Sequence, residues 1–566
     1  MPFILGIDTG GTYTDAVIYN EETKSILSKS KTFTTKHNLA GGISAVIDGL
    51  DSSYLKDISR VHLSTTLATN SLLETKKYSV AVLYLGEAPE ERDTLCKSSF
   101  RIKSFVRQDG RFSPITGDII KNIKTAFGED IGSILVSASG CESEIIYERE
   151  AAKQLSLYFS CPIYCSYDIE KTKEHLIRTN SAIANIGLRP LISSLCDNIK
   201  TVLKANNIKA SLYIMTGSGK LIPCEKAIAA PLLTIMSGPA ASIAGAVFLT
   251  DKPSGLLIDM GGTSADVTKL ENGYVRMKKA QTVINDKSFA AESFDIQSFA
   301  VGGDSHIYYN QMGKLCVGPA KVIPLCVASS RFSHLITELK EYKKAEDYEL
   351  FTASPIECYM TGGKTTFSDL TDFERMVVSC VEKQPHSLFY ISNYFGTDPD
   401  ALHLNRLADK GYVQRISFTP TDLLHITGKY RQFDHDISIL AAEKLAELGH
   451  CRLDDFLLKC EALIGNMLAF SCMQAVANFE KLNFDFRQSS GASYLINKFL
   501  EDDTDYLSVV FNITKPLIAV GAPVKSWMPA IAKKLGTELI VPLHHEVACA
   551  VGAAVSAYDT YESEGF

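Results

Sequence analysis

One pattern occurs twice in this chain. Residues 4–18 read ILGIDTGGTYTDAVI, and residues 257–270 read LIDMGGTSADVTKL. In each, an apolar run meets an aspartate, a Gly-Gly-Thr step and a second aspartate seven positions after the first. The first copy has Asp8, Gly10, Gly11, Thr12 and Asp15; the second has Asp259, Gly261, Gly262, Thr263 and Asp266. An apolar run that breaks at a double glycine and then resumes predicts a β-hairpin. Two hairpins with identical internal spacing predict a duplicated architecture, since self-similarity constrains a fold more than local propensity does.

At 566 residues the chain exceeds one ordinary core, so about two to four domains are expected. SVAVLYLG (79–86), GSILVSAS (132–139), SLYIM (211–215) and PLIAVGAP (516–523) are short apolar runs ending in turn residues, as buried strands do. They alternate with helical stretches such as 148–160, 527–535 and the small-residue segment SGPAASIAGAVFL (237–249), which predicts α/β layers. HLSTTLATNSLLE (62–74) reads as a Thr/Ser-rich loop entering a helix, and 437–484 as helical. Residues 330–435 are more polar and break this rhythm, so they read as an inserted helical accessory region. Within it, 404–422 fits either a helix with a β-wing or a packing subdomain.

A formal charge of −8 argues against binding nucleic acid or an anionic membrane. No uninterrupted apolar run reaches about 18 residues, so no membrane span is expected. The first strand opens without a basic, cleavable leader, which predicts a cytoplasmic protein whose 14 cysteines are mostly reduced core residues. Cys161 and Cys165 lack a second ligand pair nearby, and His544-His545 reads as packed or solvated rather than metal-bound. TGGKTT (361–366) fails the P-loop pattern because Cys358 stands where it needs glycine, and TGSGKL (216–221) fails too.

A glycine turn suits a phosphate chain. Without a Cβ the backbone N–H groups approach phosphate oxygens closely, threonine hydroxyls add donors, and a strand-end aspartate holds Mg²⁺, usually through water. Two such hairpins facing one another would clamp one nucleotide. A capped structural turn is the alternative for either copy alone.

The two turns resemble the phosphate-1 and phosphate-2 hairpins of the actin, sugar-kinase and heat-shock-chaperone ATPase superfamily, and AVGAPVKSWMPAIAKKLG (519–536) resembles its adenosine-binding turn and helix. EVACAVGAAVSA (546–557) resembles the connecting helix that follows. Within that superfamily the chain is similar to the hydantoinase/oxoprolinase family, of the ATP-binding subunit type in a short form. The similarity is carried by GIDTGGTYTDAV, TTLATNSLLE, RTNSAIANIGLRP (178–190), SGPAASIAGA, DMGGTSADV, VGGDSHIYYNQMGKLCVGPA (301–320) and FTPTDLLHITGKY (418–430).

The resemblance implies a duplicated actin-like (ribonuclease H-like) α/β ATPase fold with an inserted helical region. Lobes would cover 1–175 and 176–329, the insertion 330–435, and the rest of the second lobe 436–566. It also implies ATP and Mg²⁺ as cofactors. Asp8 and Asp259 would hold Mg²⁺, while Gly10, Gly11, Thr12, Gly261, Gly262 and Thr263 would hold the β- and γ-phosphates. Asp15 and Asp266 would stand behind them or orient a nucleophile, and Gly521 would contact adenosine. Thr65, Thr66, Thr69, Asn70, Gly302, Gly303 and Asp304 are candidates for the substrate side, with Asp422, His425 and Asp434 as a further cluster.

Two departures fall on that side. Many larger members have His-Gly before the double threonine where this chain has Leu63-Ser64, and three glycines where it has Gly302-Gly303-Asp304. The implied reaction is phosphorylation by ATP of the carbonyl or enolate oxygen of a small cyclic amide, such as a hydantoin or an oxoproline-like ring, activating it for ring opening. A ketone carboxylase component, a small-molecule kinase and a nucleotide-gated binding protein are the alternatives. The length matches one subunit only, so a second catalytic subunit is an expected partner, and a homo-oligomer is compatible.

Overall fold

The computed structural model describes residues 3–34, 39–74, 77–90, 93–139, 145–250, 254–278, 281–341, 354–364, 367, 369–480, 482, 485–501 and 506–558. Residues 342–353 of the expected insertion, and Thr365 and Thr366 of the rejected P-loop, lie outside them. The chain forms two compact units. One contains Met1–Asp251, Tyr274–Asp295 and Val547–Phe566; the other contains Lys252–Gly273 and Ile296–Glu546.

The first unit has strands β1 (Phe3–Thr9), β2 (Tyr13–Asn20), β3 (Ser25–Phe33), β4 (Ile58–Thr65), β5 (Tyr78–Leu85), β6 (Cys96–Ile102), β7 (Ser133–Ala138), β8 (Ile163–Cys165), β9 (Ser211–Met215) and β10 (Leu221–Pro223). They form two sheets, ordered β10-β9-β4-β1-β2-β3 and β6-β5-β7-β8. In the first, β1 runs antiparallel to β2 and parallel to β4, which is parallel to β9. Strand β1 is buried along its whole length because both faces are covered. Leu5 and Ile7 point into a cluster with Ile43 and Val46 of helix Leu39–Asp48 and with Ile183 and Leu188 of helix His175–Ala205. Ile4, on the other face, meets Ala550, Val551 and Ala554 of helix Ala548–Val555. Because β9 joins β4 and the 31-residue helix His175–Ala205 fills the same core, this unit extends past residue 175, the boundary expected from sequence.

The second unit repeats the central topology. Strand β11 (Gly255–Met260) is antiparallel to β12 (Ala265–Glu271), which pairs antiparallel with Ile296–Phe299. On its other side β11 runs parallel to Leu517–Val520, and that strand runs parallel to Leu539–Ile540. This is the order β3-β2-β1-β4-β9 over again.

The region expected to be helical also carries a sheet. Ile323–Pro324, Val413–Ser417, Cys358–Thr361 and His386–Ser387 pair in that order, over a core that includes Val377, Leu388, Ile391, Leu402 and Leu407. Val413–Ser417 has strands on both sides, so 404–422 has no free β-wing. The 27-residue helix Leu453–Phe479 is long and apolar enough to cross a membrane by length and composition alone, yet half of its most apolar stretch is buried inside the protein. Its Phe456, Cys460, Ile464 and Leu468 belong to the core of the second unit. Every described cysteine is free.

Candidate functional site

Strand register builds the candidate site of the first unit. Asp8 sits opposite Asp15 on β2 and opposite Ser64 on β4, while Asp15 sits opposite Lys31 on β3. Directly paired residues share a face, so Ser64, Asp8, Asp15 and Lys31 form one row across four strands. The Ser64 hydroxyl donates to Asp8 Oδ1 at 2.5 Å, and Lys31 Nζ donates to both Asp15 oxygens at 2.8 and 2.9 Å. Burial works against the charge on Lys31, but the attraction and hydrogen bonds of Asp15, aided by Cys549 and Asp8, outweigh it. The ammonium pKa therefore stands above its ordinary value.

Above this row the turn is closed by Gly10 N–H donating to Tyr13 O at 2.9 Å. Thr34 braces it from behind: its N–H donates to Thr12 O at 2.9 Å and its hydroxyl to Gly10 O at 2.9 Å. Gly10, Gly11 and Thr12 themselves are half-buried.

In the second unit the equivalent row is Val520, Asp259, Asp266 and Ser298. The turn closes in the same way, with Gly261 N–H donating to Ser264 O at 3.0 Å, and both Gly261 and Thr263 are exposed. The rows have diverged at their ends, with serine replacing lysine beside the second aspartate and valine replacing serine beside the first. Asp266 Oδ1 is buried with no hydrogen-bond partner. Burial raises the pKa of this carboxyl, with the Ser298 and Ser264 hydroxyls pulling the other way.

The segment Gly302-Gly303-Asp304 lies buried against the second turn. Gly303 N–H donates to Gly261 O at 3.1 Å and Asp304 N–H to Gly262 O at 2.6 Å. A Cβ on Gly302 would stand 2.6 Å from Gly262 O, so glycine is required by the close backbone approach. Thr421 in turn holds Gly303 O with its N–H at 3.0 Å and its hydroxyl at 2.8 Å. Gly521 follows Val520 at a φ of 107°, and a Cβ there would meet Met260 O at 2.2 Å. His545 latches this turn: Gly521 N–H donates to His545 O at 2.8 Å, and the His545 ring donates from Nδ1 to Gly521 O at 2.9 Å.

The Thr-Thr loop is tied to the SGP turn within the first unit. Thr65 O accepts from the Ser237 hydroxyl at 2.8 Å, and Thr69 Oγ1 accepts from Met236 N–H at 2.9 Å. Thr66 and Asn70 are half-buried and bonded to one another, Nδ2 to Oγ1, at 3.2 Å. The cluster around Asp422 turns out to be internal bracing. Asp422 is buried, accepting from Cys326 N–H at 2.8 Å, Thr419 Oγ1 at 2.7 Å and Ser438 Oγ at 2.9 Å. His425 Nδ1 donates to Thr421 O at 2.8 Å, and the Asp434 side chain caps helix His435–Leu448. His62 packs away from the turn, its Nε2 2.8 Å from Tyr558 Oη, and burial pushes its pKa down to about 4.

Sequence reading passed over Lys31 and Thr34, because nothing local marks a residue whose role comes from strand register. It met Ser64 only as a departure from a pattern. A lysine sixteen positions beyond Asp15 becomes informative only once the β2–β3 hairpin is in register.

Two family models match this chain: residues 4–109 fit the hydantoinase/oxoprolinase N-terminal region, and residues 178–370 fit hydantoinase/oxoprolinase. An uncharacterized protein of Methanocaldococcus jannaschii, MJ0964, is 26% identical over 336 residues, which is 54% of this chain and 46% of that protein. Caprolactamase subunit alpha of Pseudomonas jessenii is 22% identical over 372 residues, 59% of this chain and 53% of that one. The matches therefore span about half the length of these relatives. Among solved structures, nucleotide-free acetone carboxylase aligns with a TM-score of 0.63 at 16% identity, covering 97% of this chain and 70% of that chain.

Proposed function

The chain belongs to the hydantoinase/oxoprolinase family and has its duplicated actin-like ATPase fold, and from that premise we propose an ATP-dependent enzyme that phosphorylates the carbonyl or enolate oxygen of a small cyclic amide, activating it for ring opening. The observation that carries this reading is the repeated Asp-Gly-Gly-Thr hairpin, closed by the same backbone hydrogen bond at the end of the first sheet strand of each unit. Each unit thus offers a phosphate turn and a strand-end carboxylate.

In this reading Gly10, Gly11, Thr12, Gly261, Gly262 and Thr263 donate to phosphate oxygens, and Gly521 shapes the turn that meets adenosine. Asp8 and Asp259 would each offer Mg²⁺ a carboxylate, since oxygen ligands suit this hard cation. What Mg²⁺ would supply there is neutralisation of the phosphate charge during phosphoryl transfer. Asp15 has its charge committed to Lys31. Asp266 keeps an unpartnered oxygen, so it is the aspartate we assign to orienting a nucleophile. Thr66, Thr69 and Asn70 are the substrate-side candidates with exposed surface.

The amide oxygen attacks the γ-phosphorus and the bond to the ADP oxygen breaks. The O-phosphorylated carbon has lost amide resonance, so one water adds there and the C–N bond breaks, opening the ring to an amine and an acyl phosphate, from which a second water releases phosphate and the free carboxylate. A relative named as a subunit alpha supports a partner subunit for the hydrolytic steps. A cytoplasmic setting fits the free cysteines.

ADP and phosphate release by the purified chain, against hydantoins, lactams and ketones with and without any copurifying protein, tests the proposal. Ring-opened product forming with ADP and phosphate supports it. A stable phosphorylated product makes the protein a kinase, and a bicarbonate-dependent carboxylated product makes it a carboxylase component. ADP release that no compound stimulates points to a nucleotide-gated binding protein.

A further inference from the structure

Helix His334–Glu341 and strand His386–Ser387, both in the second unit, bring together three side chains that the phosphate turns do not use. His334 and Glu338 are one helical turn apart and share a face. His386 is fixed by the pairing of its strand with Cys358–Thr361, where it sits opposite Tyr359. His386 Nδ1 lies 2.8 Å from Glu338 Oε1, and His334 Nε2 lies 3.9 Å from the same oxygen. One ligand atom from each of the three residues lies within 4.8 Å of the others.

The surroundings match what metal ligands need. Glu338 Oε2 accepts from Ser387 N–H at 2.6 Å, which leaves Oε1 to the two imidazoles. Tyr390 stacks on His386 with ring centroids 4.0 Å apart, and the Gln384 amide lies 3.4 Å from His386 Nε2, so the ring is oriented from its far side. The side chains of Glu338 and His386 are 11% and 8% exposed, whereas that of His334 is 32% exposed and gives a path from solvent. A Glu338–His386 hydrogen bond alone does not call for a second imidazole near the same carboxylate oxygen.

We propose that His334, Glu338 and His386 form a divalent transition-metal site of the zinc type, independent of the nucleotide reading. Two imidazole nitrogens and one carboxylate oxygen suit Zn²⁺, whereas Mg²⁺ and Ca²⁺ favour all-oxygen sets. On binding, the cation takes the place of the proton between His386 Nδ1 and Glu338 Oε1; that proton moves to His386 Nε2, and the Gln384 amide turns over so that its oxygen accepts it. His334 Nε2, which now donates to Pro385 O at 2.8 Å, exchanges that carbonyl for the metal as its ring proton moves to Nδ1. Three protein ligands leave a fourth position for water, and the site ties the helix to the sheet.

The test is titration of the chelator-treated full chain with Zn²⁺ against a chromophoric chelator, with Co²⁺ as a spectroscopic probe. The proposal expects one equivalent bound with a Kd below about 1 µM, a four-coordinate Co²⁺ spectrum, and a loss of affinity of about 100-fold or more in His334→Gln and in His386→Gln. Mg·ATP binding, followed separately, stays at the wild-type level in both variants. Absence of stoichiometric Zn²⁺, or stoichiometric Zn²⁺ that survives both substitutions, overturns it. If His386→Gln fails to fold, the Co²⁺ spectrum of His334→Gln decides the matter, because that more exposed side chain can be changed without opening the core.

Discussion

Gly302→Ala probes the support beneath the second Gly-Gly-Thr turn. The new Cβ would stand 2.6 Å from Gly262 O, 2.7 Å from Gly262 C and 2.9 Å from Gly261 O. Comfortable contact begins at about 3.5 Å, so the turn or the 302–304 segment must shift by roughly 0.9 Å to clear Gly262 O. No flexible side chain is available to absorb this, because every atom in the way is backbone. The shift strains the two hydrogen bonds that join the segments, Gly303 N–H to Gly261 O and Asp304 N–H to Gly262 O, each contributing about 1 kcal/mol. With an overpacking cost of about 1–3 kcal/mol, the expected destabilisation is about 2–4 kcal/mol. Because a misplacement approaching an ångström can cost about 100-fold in rate, ATP turnover should fall by one to two orders of magnitude. The assay pairs urea unfolding with ADP release and nucleotide binding. Gly465→Ala serves as control: it lies in helix Leu453–Phe479 with nothing within 4 Å of its Cβ position, so it should be neutral or stabilising by up to about 1 kcal/mol. If Gly302→Ala binds and turns over ATP like wild type with unchanged stability, the 302–304 segment does not position the turn and the reasoning fails.

Asp8→Asn and Asp259→Asn should each abolish Mg·ATP turnover, by about 100-fold or more, while leaving the far-UV spectrum intact; wild-type ATPase in both variants refutes the carboxylate assignment. Ser64→Ala removes the donor to Asp8 Oδ1, a hydrogen bond to a charged group worth about 1.5–3 kcal/mol, and should lower both unfolding stability and turnover, whereas a purely structural serine would lower stability alone. Stability should also fall with acid below pH 6.5. His62 and His175 have folded pKa values near 4, both chiefly through burial, against an ordinary 6.5. Between those values the unfolded chain binds protons that the folded one refuses, so stability present above pH 6.5 is lost as pH falls toward 4. The loss for His62 alone is about 3 kcal/mol. Urea titrations at pH 7 and pH 4.5 should show it, with a shallower fall in His62→Gln; equal slopes would contradict the burial argument.

The two hairpins were legible because their signal is local. Apolar strand, glycine pair and flanking aspartates all lie within fifteen residues, and β1/β2 and β11/β12 form with Asp8 opposite Asp15 and Asp259 opposite Asp266. Helices 237–249 and 548–555 were legible for a similar reason, their small residues running without interruption. The sheet within 330–435 was not. Its strands Cys358–Thr361 and His386–Ser387 have four and two residues, too few for a period-two pattern to stand out. Asp422 misled as a site candidate because a buried capping aspartate and a catalytic one look alike until their hydrogen-bond partners are known.

The sequence by itself determined the duplication, the α/β class and the identity of the turn residues, since each depends on neighbours along the chain. Tertiary structure decided what each aspartate faces. Asp15 and Asp266 occupy the same place in the repeat, yet one meets Lys31 and the other Ser298. That difference is set by strand register, which brings residues 16 and 32 positions away into direct contact and gives one carboxylate a counter-ion while leaving an oxygen of the other buried and unpartnered. The meeting of His334, Glu338 and His386 has the same origin: a helix and a strand about fifty residues apart become neighbours only when the apolar surfaces beneath them are buried together.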